Sequence, residues 1–113
     1  MKTLVAGYGS IGKRHVKNIL NVSNNEIVVC TSQNKPKISN TDRCSFRSKL
    51  QDCLLMNPEI GFVTNVSSAH VDTALEMANS NCHLFIEKPL SNSLKNVERL
   101  KTITQKKNLI TLM

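Results

Sequence analysis

The chain has 113 residues, of which 40% are hydrophobic, and it carries a formal net charge of +7. This length and apolar content indicate one globular domain rather than a disordered chain. No apolar run approaches the roughly 20 residues that a membrane-spanning helix needs. The basic residues are scattered and only 4% of residues are aromatic, so the sequence offers no stacking surface for bases. We therefore expect no nucleic-acid partner and no membrane partner.

Short β-branched runs alternate with longer helical patterns along the chain. Buried strands are predicted at residues 3–6, 27–30, 60–64, 84–86 and 109–112, with a weaker strand at 44–46. Helical patterns occupy residues 11–20, the segment after the capping-box sequence Ser48-Lys49-Leu50-Gln51, residues 71–78 with Ser67 or Ser68 as cap, and the stripe Leu94, Val97, Leu100 and Ile103 with Ser91 or Ser93 as cap. Residues 33–42 are expected to form a surface loop. The alternation predicts an α/β fold with a doubly wound parallel sheet.

Three of the four glycines lie in one six-residue window directly after the first predicted strand: Gly7-Tyr8-Gly9-Ser10-Ile11-Gly12. Gly7 allows a tight turn, Gly9 leaves room for a phosphate near the backbone, and Gly12 lets the next helix pack closely on the strand. Free N–H groups at the helix N-terminus would face the anion. This order predicts a dinucleotide pyrophosphate site, with an ordinary glycine turn as the alternative.

Small polar or charged residues follow three of the predicted strands, at the edge where ligands of a doubly wound sheet bind. They are Thr31 and Ser32 after the second strand, Thr64 and Asn65 with His70 at the next helix start, and Glu87-Lys88-Pro89 after the strand at 84–86. A charged pair at the end of a buried strand is unlike an ordinary polar turn. We take these residues, with the glycine window, as the candidate cofactor contacts.

The position after the second strand usually carries Asp or Glu in NAD sites, where the carboxylate binds the ribose hydroxyls. This chain has Thr31 and Ser32 there, with Lys35 and Lys37 nearby. A hydroxyl and a cation suit a 2′-phosphate better than a carboxylate does. The expected cofactor is NAD or NADP, with NADP favoured, and solvated loop lysines are the alternative reading of Lys35 and Lys37.

The four cysteines, Cys30, Cys44, Cys53 and Cys82, form no C-x-x-C pair and have no histidine at a ligand spacing. Neither a metal site nor a disulfide framework is expected. Cys30 and Cys53 fall in apolar stretches and are predicted to be buried thiols, as in a reducing, cytoplasmic compartment.

The three histidines receive different predictions. His15 is predicted to be a structural or solvated residue of the first helix, and His83 is assigned no function. His70 begins a helix beside the cleft, so it is either a capping or structural residue or a substrate contact.

Together these residues resemble the N-terminal domain of the Gfo/Idh/MocA oxidoreductases, the family of glucose–fructose oxidoreductase and inositol 2-dehydrogenase. The matching pieces are the glycine window followed by Arg14-His15, residues 64–70, and the run Phe85-Ile86-Glu87-Lys88-Pro89-Leu90. The resemblance covers essentially the whole chain, and the Glu-Lys-Pro segment is its most specific part. One departure is that Asn65-Val66 stands where the family usually has a proline.

The resemblance implies an NAD(P)-binding Rossmann fold followed by an α/β substrate domain. It implies hydride transfer between a nicotinamide and a hydroxyl-bearing carbon of a sugar, inositol or nucleotide sugar. Lys88 would be the catalytic residue that contacts the substrate and stabilises negative charge on its oxygen. Glu87 would position the site and Pro89 would hold the turn, with a cis Lys88–Pro89 bond as one way to do so. The family's acid–base Asp and His come from the second domain, and its open sheet commonly makes homo-oligomers.

The chain ends at Met113 within an apolar run that looks like a strand, which we interpret as a cut within a longer protein. Residues 1–113 are therefore expected to be a dinucleotide-binding domain that binds cofactor weakly and, without the substrate domain, has little or no activity. The alternative is a non-enzymatic dinucleotide-binding sensor or interaction module. A methyltransferase is disfavoured, because its glycine motif lacks the spacing of Gly12.

Overall fold

A computed structural model describes residues 1–33, 41–90 and 94–113 and shows a six-stranded parallel sheet. The strands are β1 (Lys2–Ala6), β2 (Glu26–Cys30), β3 (Cys44–Arg47), β4 (Ile60–Val63), β5 (His83–Ile86) and β6 (Thr111–Leu112). Their order in the sheet is β3-β2-β1-β4-β5-β6, and every pairing is parallel. This is the strand order of a doubly wound dinucleotide-binding fold. The predicted fold class is confirmed, including the weaker strand at β3.

The helices are α1 (Ser10–Val22), α2 (Leu50–Leu54), α3 (His70–Asn79) and α4 (Val97–Lys106), with short 3₁₀ turns at Thr41–Arg43 and Ser67–Ala69. Asn57, Asn81 and Asn108 follow α2, α3 and α4 with left-handed φ values between 55° and 67°. Asparagine tolerates this conformation, which ends a helix. Within the described parts of the chain, no helix has the length and apolar character to cross a membrane.

Helices cover both faces of the sheet, so the central strands are apolar along almost their whole length. Leu4 and Val28 pack with residues of α2, α3 and α4 in one buried cluster. Val5 and Val29 point to the opposite face and pack with Val16 of α1 in a second cluster. Successive residues of β1 and of β2 thus alternate between the two clusters. A shift of one residue in the pairing of these strands would therefore move each side chain to the wrong face of the sheet.

The predicted helix starts are wrong in detail. The capping box at Ser48 is not used, because α2 begins at Leu50 with an extended Lys49 before it and no side-chain capping bond. Ser67 and Ser68 lie in a 3₁₀ turn, and α3 begins after Ala69 instead. The helix α4 begins at Val97 after Asn96, while the proposed caps Ser91 and Ser93 lie outside the described residues. Leu94 therefore precedes the helix, and it is 88% exposed rather than part of an apolar stripe.

The last strand is also not buried as predicted. Thr111 and Leu112 pair with β5 at the edge of the sheet, and the side chain of Leu112 is 57% exposed. The loop predicted at 33–42 falls largely on residues 34–40, which lie outside the described residues.

Candidate functional site

A cavity of about 590 Å³ opens at the carboxyl ends of β1, β2 and β4. The strand order reverses here, because β1 pairs with β2 on one side and with β4 on the other. Such a reversal creates the crevice in which doubly wound folds bind ligands, and this volume suits a small-molecule site. The cavity brings together many of the predicted contacts: residues 7–11, Thr31, Ser32, Thr64 and Asn65.

The glycine window forms a tight turn between β1 and α1. Gly7 has φ +102°, and a Cβ built on it would lie 2.7 Å from the backbone nitrogen of Asn65. A Cβ on Gly12 would collide with the carbonyl oxygen of Gly7, so a side chain at either position would push the turn away from the sheet. A Cβ on Gly9, in contrast, meets no described atom within 4 Å. The space beside Gly9 is therefore open for a ligand.

The N-terminus of α1 has donors available for that ligand. The helix begins at Ser10 after Gly9, without a side-chain capping bond and without an acidic residue in its first turn. The first N–H groups of a helix have no partner within the helix, and they carry the positive end of its dipole. The turn therefore presents backbone donors and partial positive charge to the cavity.

Tyr8 contributes to the core as well as to the cavity wall. Its ring packs edge-on against Phe46, with centroids 5.8 Å apart, and Nζ of Lys13 lies 5.6 Å from the ring centroid. Its carbonyl oxygen accepts a hydrogen bond of 2.8 Å from Nε2 of Gln33. Gln33 also lines the cavity, and its position after β2 was the only signal by which it could have been selected.

The hydroxyl group of Thr31 stabilises the turn that follows β2. Oγ1 of Thr31 accepts a hydrogen bond of 3.2 Å from the backbone N–H of Gln33, and the backbone N–H of Thr31 donates to the carbonyl oxygen of Arg47 at 2.9 Å. Ser32 is exposed at the cavity wall. Lys35 and Lys37, which the sequence associated with a 2′-phosphate, lie outside the described residues.

Thr64 and Asn65 connect the end of β4 to the glycine turn. Oγ1 of Thr64 lies 2.9 Å from the carbonyl oxygen of Ala6 and 3.0 Å from that of Gly7, and the hydroxyl donates to this pair. Nδ2 of Asn65 donates to Oγ1 of Thr73 at 2.9 Å. Oδ1 of Asn65 is buried and has no hydrogen-bond partner among the described residues. Asn65, which lines the cavity, thus carries an acceptor that no described residue satisfies.

His70 is 2% exposed and bridges two loops. Its Nδ1 lies 2.7 Å from the carbonyl oxygen of Pro89, and its Nε2 lies 2.8 Å from that of Asn65. Both partners are acceptors, so each bond requires a proton on the ring nitrogen that faces it. Both ring nitrogens thus face backbone carbonyl oxygens. The cofactor contact predicted for His70 stays a prediction.

The Glu87-Lys88-Pro89 segment lies at the same edge of the sheet, directly after β5, and contains a cis Lys88–Pro89 bond. Oε2 of Glu87 lies 3.0 Å from Nε2 of His15. Lys88 is exposed, and within the described chain it forms no ion pair with a carboxylate. Unlike the residues beside the glycine turn, Gly12, His70 and this segment do not line the cavity themselves.

The contact with His15 favours the charged form of Glu87. The hydrogen bond from His15 lowers the pKa of the Glu87 carboxyl, and the smaller effect of desolvation opposes it. The ring of His15 also packs on Phe62 and Phe85, with both pairs of centroids 5.2 Å apart. The prediction of a solvated or merely structural His15 is therefore incomplete, because this residue is the partner of Glu87.

Comparison with known proteins gives the family. Residues 1–113 match an oxidoreductase family with an NAD-binding Rossmann fold, Gfo/Idh/MocA. The chain is 27% identical over 119 aligned positions to an inositol 2-dehydrogenase/D-chiro-inositol 3-dehydrogenase of Lacticaseibacillus casei, and 28% identical over 116 positions to an inositol 2-dehydrogenase of Salmonella typhimurium. These alignments cover 97% and 94% of this chain but 34% of each relative. The chain thus spans about a third of the length of the curated relatives it matches.

A solved structure supports the fold independently of close sequence identity. The WlbA dehydrogenase of Chromobacterium violaceum, in complex with NADH and UDP-GlcNAcA, superposes with a TM-score of 0.82 at 18% identity. The match covers 98% of this chain and 34% of that protein. The sheet order and the glycine turn at its reversal point agree with the match over the whole sequence, and the chain accordingly belongs to the Gfo/Idh/MocA oxidoreductase family, as an NAD-binding Rossmann fold.

Proposed function

We propose that this chain is the cofactor-binding part of an NAD(P)-dependent dehydrogenase that transfers a hydride between a nicotinamide and a hydroxyl-bearing carbon. The observation that carries the proposal is the placement of two features at one edge of the sheet. The glycine turn opens on the cavity between β1 and β4, and Glu87-Lys88-Pro89 follows β5, the next strand beyond β4. The proposed phosphate site at the glycine turn and the charged Glu87-Lys88-Pro89 segment therefore lie at the same edge of the sheet, near one another.

The residues present fit a dinucleotide. The open space at Gly9 and the uncapped N-terminus of α1 would hold the pyrophosphate through backbone N–H groups. The unpaired Oδ1 of Asn65 would accept a hydrogen bond from a ribose hydroxyl or amide group of the ligand. Thr31 and Ser32 would receive the adenosine ribose. We favour NADP over NAD because no carboxylate stands at this position, whereas Lys35 and Lys37 follow it in sequence.

Lys88 is the proposed catalytic residue. Its ammonium would hold the reacting hydroxyl and stabilise negative charge on the substrate oxygen as the hydroxyl loses its proton. Glu87, held by His15, would set the direction of the segment, and His70 would fix the carbonyl group of Pro89. A bound nicotinamide would supply the hydride acceptor or donor.

The rest of the proposal concerns the whole protein. We propose that residues 1–113 are one domain of a longer chain whose second domain supplies the substrate site and the acid–base groups, because the relatives are about three times as long. Sugar-type substrates are proposed by analogy with the named activity on inositol and the bound UDP-sugar. We also propose a homo-oligomer and a cytoplasmic location, the latter because all four cysteines are free.

Calorimetric titration of the chain with NADH and NADPH tests the proposal. Saturable binding is expected, with NADPH tighter. Gly9→Val should abolish binding, because the valine side chain would occupy the open space proposed for the pyrophosphate. It should not lower the melting temperature, because a Cβ at this position meets no described protein atom within 4 Å. The matched control is Gly61→Ala, which crowds Met77 outside the cavity and should leave affinity unchanged. Absence of binding, or full binding by Gly9→Val, contradicts the proposal, and a clear preference for NADH contradicts the choice of NADP alone.

A further inference from the structure

The end of β2 forms one corner of the cavity. Cys30, the last residue of β2, is only partly buried and lines the cavity, so the prediction of a buried thiol is wrong for Cys30. It is confirmed for Cys53, which is fully buried. In doubly wound folds, the residues that follow this strand lie beside the adenosine ribose of a bound dinucleotide. A side chain fixed at this corner can therefore distinguish a 2′-hydroxyl group from a 2′-phosphate.

Gln33 is held at this corner by two hydrogen bonds. Its backbone N–H donates to Oγ1 of Thr31 at 3.2 Å, and Nε2 of its side chain donates to the carbonyl oxygen of Tyr8 at 2.8 Å. The second bond joins the segment after β2 to the glycine turn, and both Gln33 and Tyr8 line the cavity. The carboxamide group of Gln33 thus has a defined position, although the residue is exposed.

The same carboxamide group has hydrogen-bonding capacity left for a ligand. A glutamine side chain has two N–H donors and one carbonyl acceptor, and a carbonyl partner requires the nitrogen to face it. The contact with Tyr8 uses one donor, and the second N–H has no partner among the described residues. Gln33 is also neutral, whereas a carboxylate at this corner would repel a 2′-phosphate.

A positive charge lies one strand away from Gln33. Arg47 is the last residue of β3, it pairs with Cys30 in the sheet, and its carbonyl oxygen accepts the backbone N–H of Thr31 at 2.9 Å. Neighbouring strands lie about 4.8 Å apart, so the backbone of Arg47 borders the corner. Its side chain is exposed and forms no ion pair with a described carboxylate. One N–H group of the guanidinium donates to the carbonyl oxygen of Phe46 at 2.8 Å, which leaves the others for an anion.

We propose that Gln33 and Arg47 determine the cofactor specificity of this chain by binding the 2′-phosphate of NADP. The inference rests on the proposed function, because it requires a dinucleotide in this cavity. Arg47 supplies the charge, and the second N–H of Gln33 supplies a directed hydrogen bond. The bond from Gln33 to Tyr8 holds this donor in place before the phosphate arrives, so less side-chain freedom is lost on binding.

Calorimetric titration of the chain with NADPH and NADH gives the ratio of the two dissociation constants for each variant. Gln33→Met removes the donor without adding charge, and Arg47→Met removes the guanidinium. Each should lower the preference for NADPH about tenfold, because a hydrogen bond to a charged phosphate is lost. The affinity for NADH should change less than about threefold in both variants, because neither residue needs the 2′-hydroxyl group as a partner. Retained NADH binding also shows that the variants are folded.

Gln33→Glu tests the same corner with a charge of opposite sign. Its carboxylate should repel the phosphate and accept a hydrogen bond from the 2′-hydroxyl group of NADH, so the preference for NADPH should fall further than in Gln33→Met. The matched controls are Gln105→Met, Gln105→Glu and Arg99→Met. Both control positions are exposed residues of α4 that do not line the cavity, so the ratio should keep its native value.

The failure of this inference differs from the failure of the proposed function. A native ratio of dissociation constants in Gln33→Met or in Arg47→Met overturns the role of that residue, while dinucleotide binding itself persists. A native chain that binds NADH more tightly than NADPH overturns the inference as a whole, again without affecting the proposed function. A chain that binds neither dinucleotide contradicts the proposed function itself.

Discussion

Nε2 of His15 lies 3.0 Å from Oε2 of Glu87, across 72 positions of sequence. His15 is on the helix that begins in the glycine turn, and Glu87 directly follows β5. Phe62 and Phe85, stacked with centroids 5.0 Å apart, support the ring of His15 from the sheet. The turn and the Glu87-Lys88-Pro89 segment are therefore held by one helix, and a shift of α1 would move both.

The stability of the chain should depend on the charge of Glu87. The His15 bond holds the folded-state pKa of this carboxyl below its ordinary value of 4.5. A lowered folded pKa contributes stability that is complete above the unfolded-state pKa and is lost as the pH falls through the folded-state pKa. The difference in unfolding free energy between the native chain and Glu87→Gln should therefore shrink as the pH drops below 4.5.

Urea unfolding from about pH 3 to about pH 6 measures this difference. Glu59→Gln is the matched control, because Glu59 is exposed and forms no ion pair within the described parts of the chain. If the Glu87→Gln and Glu59→Gln profiles coincide, the His15 contact does not stabilise the fold.

Gly12 should be far less tolerant of a methyl group than Gly61. A Cβ at Gly12 meets the backbone carbonyl oxygen of Gly7, whereas a Cβ at Gly61 meets the thioether end of Met77. A side-chain end can rotate away, but the turn cannot, so Gly12→Ala should cost about 2–3 kcal/mol of unfolding free energy and Gly61→Ala about 1 kcal/mol. Only Gly12→Ala should also weaken dinucleotide binding. Thermal unfolding and calorimetry read the two effects, and equal losses in both variants would contradict the packing role of Gly12.

The sheet could be predicted because its signals are local. Apolar runs such as that of β1 mark strands buried on both faces, and the spacing of Gly7 and Gly12 reflects the close packing of Gly12 on the carbonyl group of Gly7. Alternation of strands and helices then leaves few topologies. The carboxyl edge follows directly from the parallel order, so the polar residues after β2, β4 and β5 could be assigned to one side.

The side-chain contacts could not be predicted, because they depend on residues far apart in sequence. Nothing near His15 indicates Glu87, and nothing near His70 indicates that its ring lies between the carbonyl oxygens of Asn65 and Pro89. The capping pattern at Ser48 was misleading for a related reason. Cys53 and its neighbours in α2 pack on the sheet. We attribute the start of α2 to this packing, whose contribution to stability exceeds that of one capping hydrogen bond.

His70→Phe should loosen the site. The replacement keeps an aromatic ring but removes the contacts of both ring nitrogens with part-buried carbonyl groups, and a lost hydrogen bond typically costs about 1 kcal/mol. Because the carbonyl groups belong to Asn65 and Pro89, we expect weaker cofactor binding as well as a lower melting temperature. The control is His83→Phe, which removes the 3.0 Å bond from the N–H of Ile110 to Nδ1 at the other end of β5. His83→Phe should lower the melting temperature and leave the dinucleotide affinity unchanged. An unchanged dinucleotide affinity in His70→Phe would contradict the idea that His70 holds the loops of Asn65 and Pro89 in place for the cofactor.

Lys88→Ala should separate catalysis from cofactor binding. The side chain is exposed and makes no ion pair in the described part of the chain, so its removal should not destabilise the fold. In the full-length protein that we propose, hydride transfer should fall by about a hundredfold or more, as when one group that stabilises a developing oxyanion is lost. The dinucleotide Kd should change less than about twofold, because the cavity is lined by other residues.

Lys106→Ala is the matched control for the loss of one positive charge, because Lys106 is also exposed and forms no ion pair within the described residues, and it should keep full activity. Initial rates with inositol and nucleotide-sugar substrates, followed by nicotinamide absorbance, give kcat/KM for both variants. Full activity in Lys88→Ala would remove the catalytic role of this residue. A full-length protein that binds dinucleotide tightly but transfers no hydride to any sugar-type substrate would instead favour a non-enzymatic sensor, because the same turn and cavity serve either function.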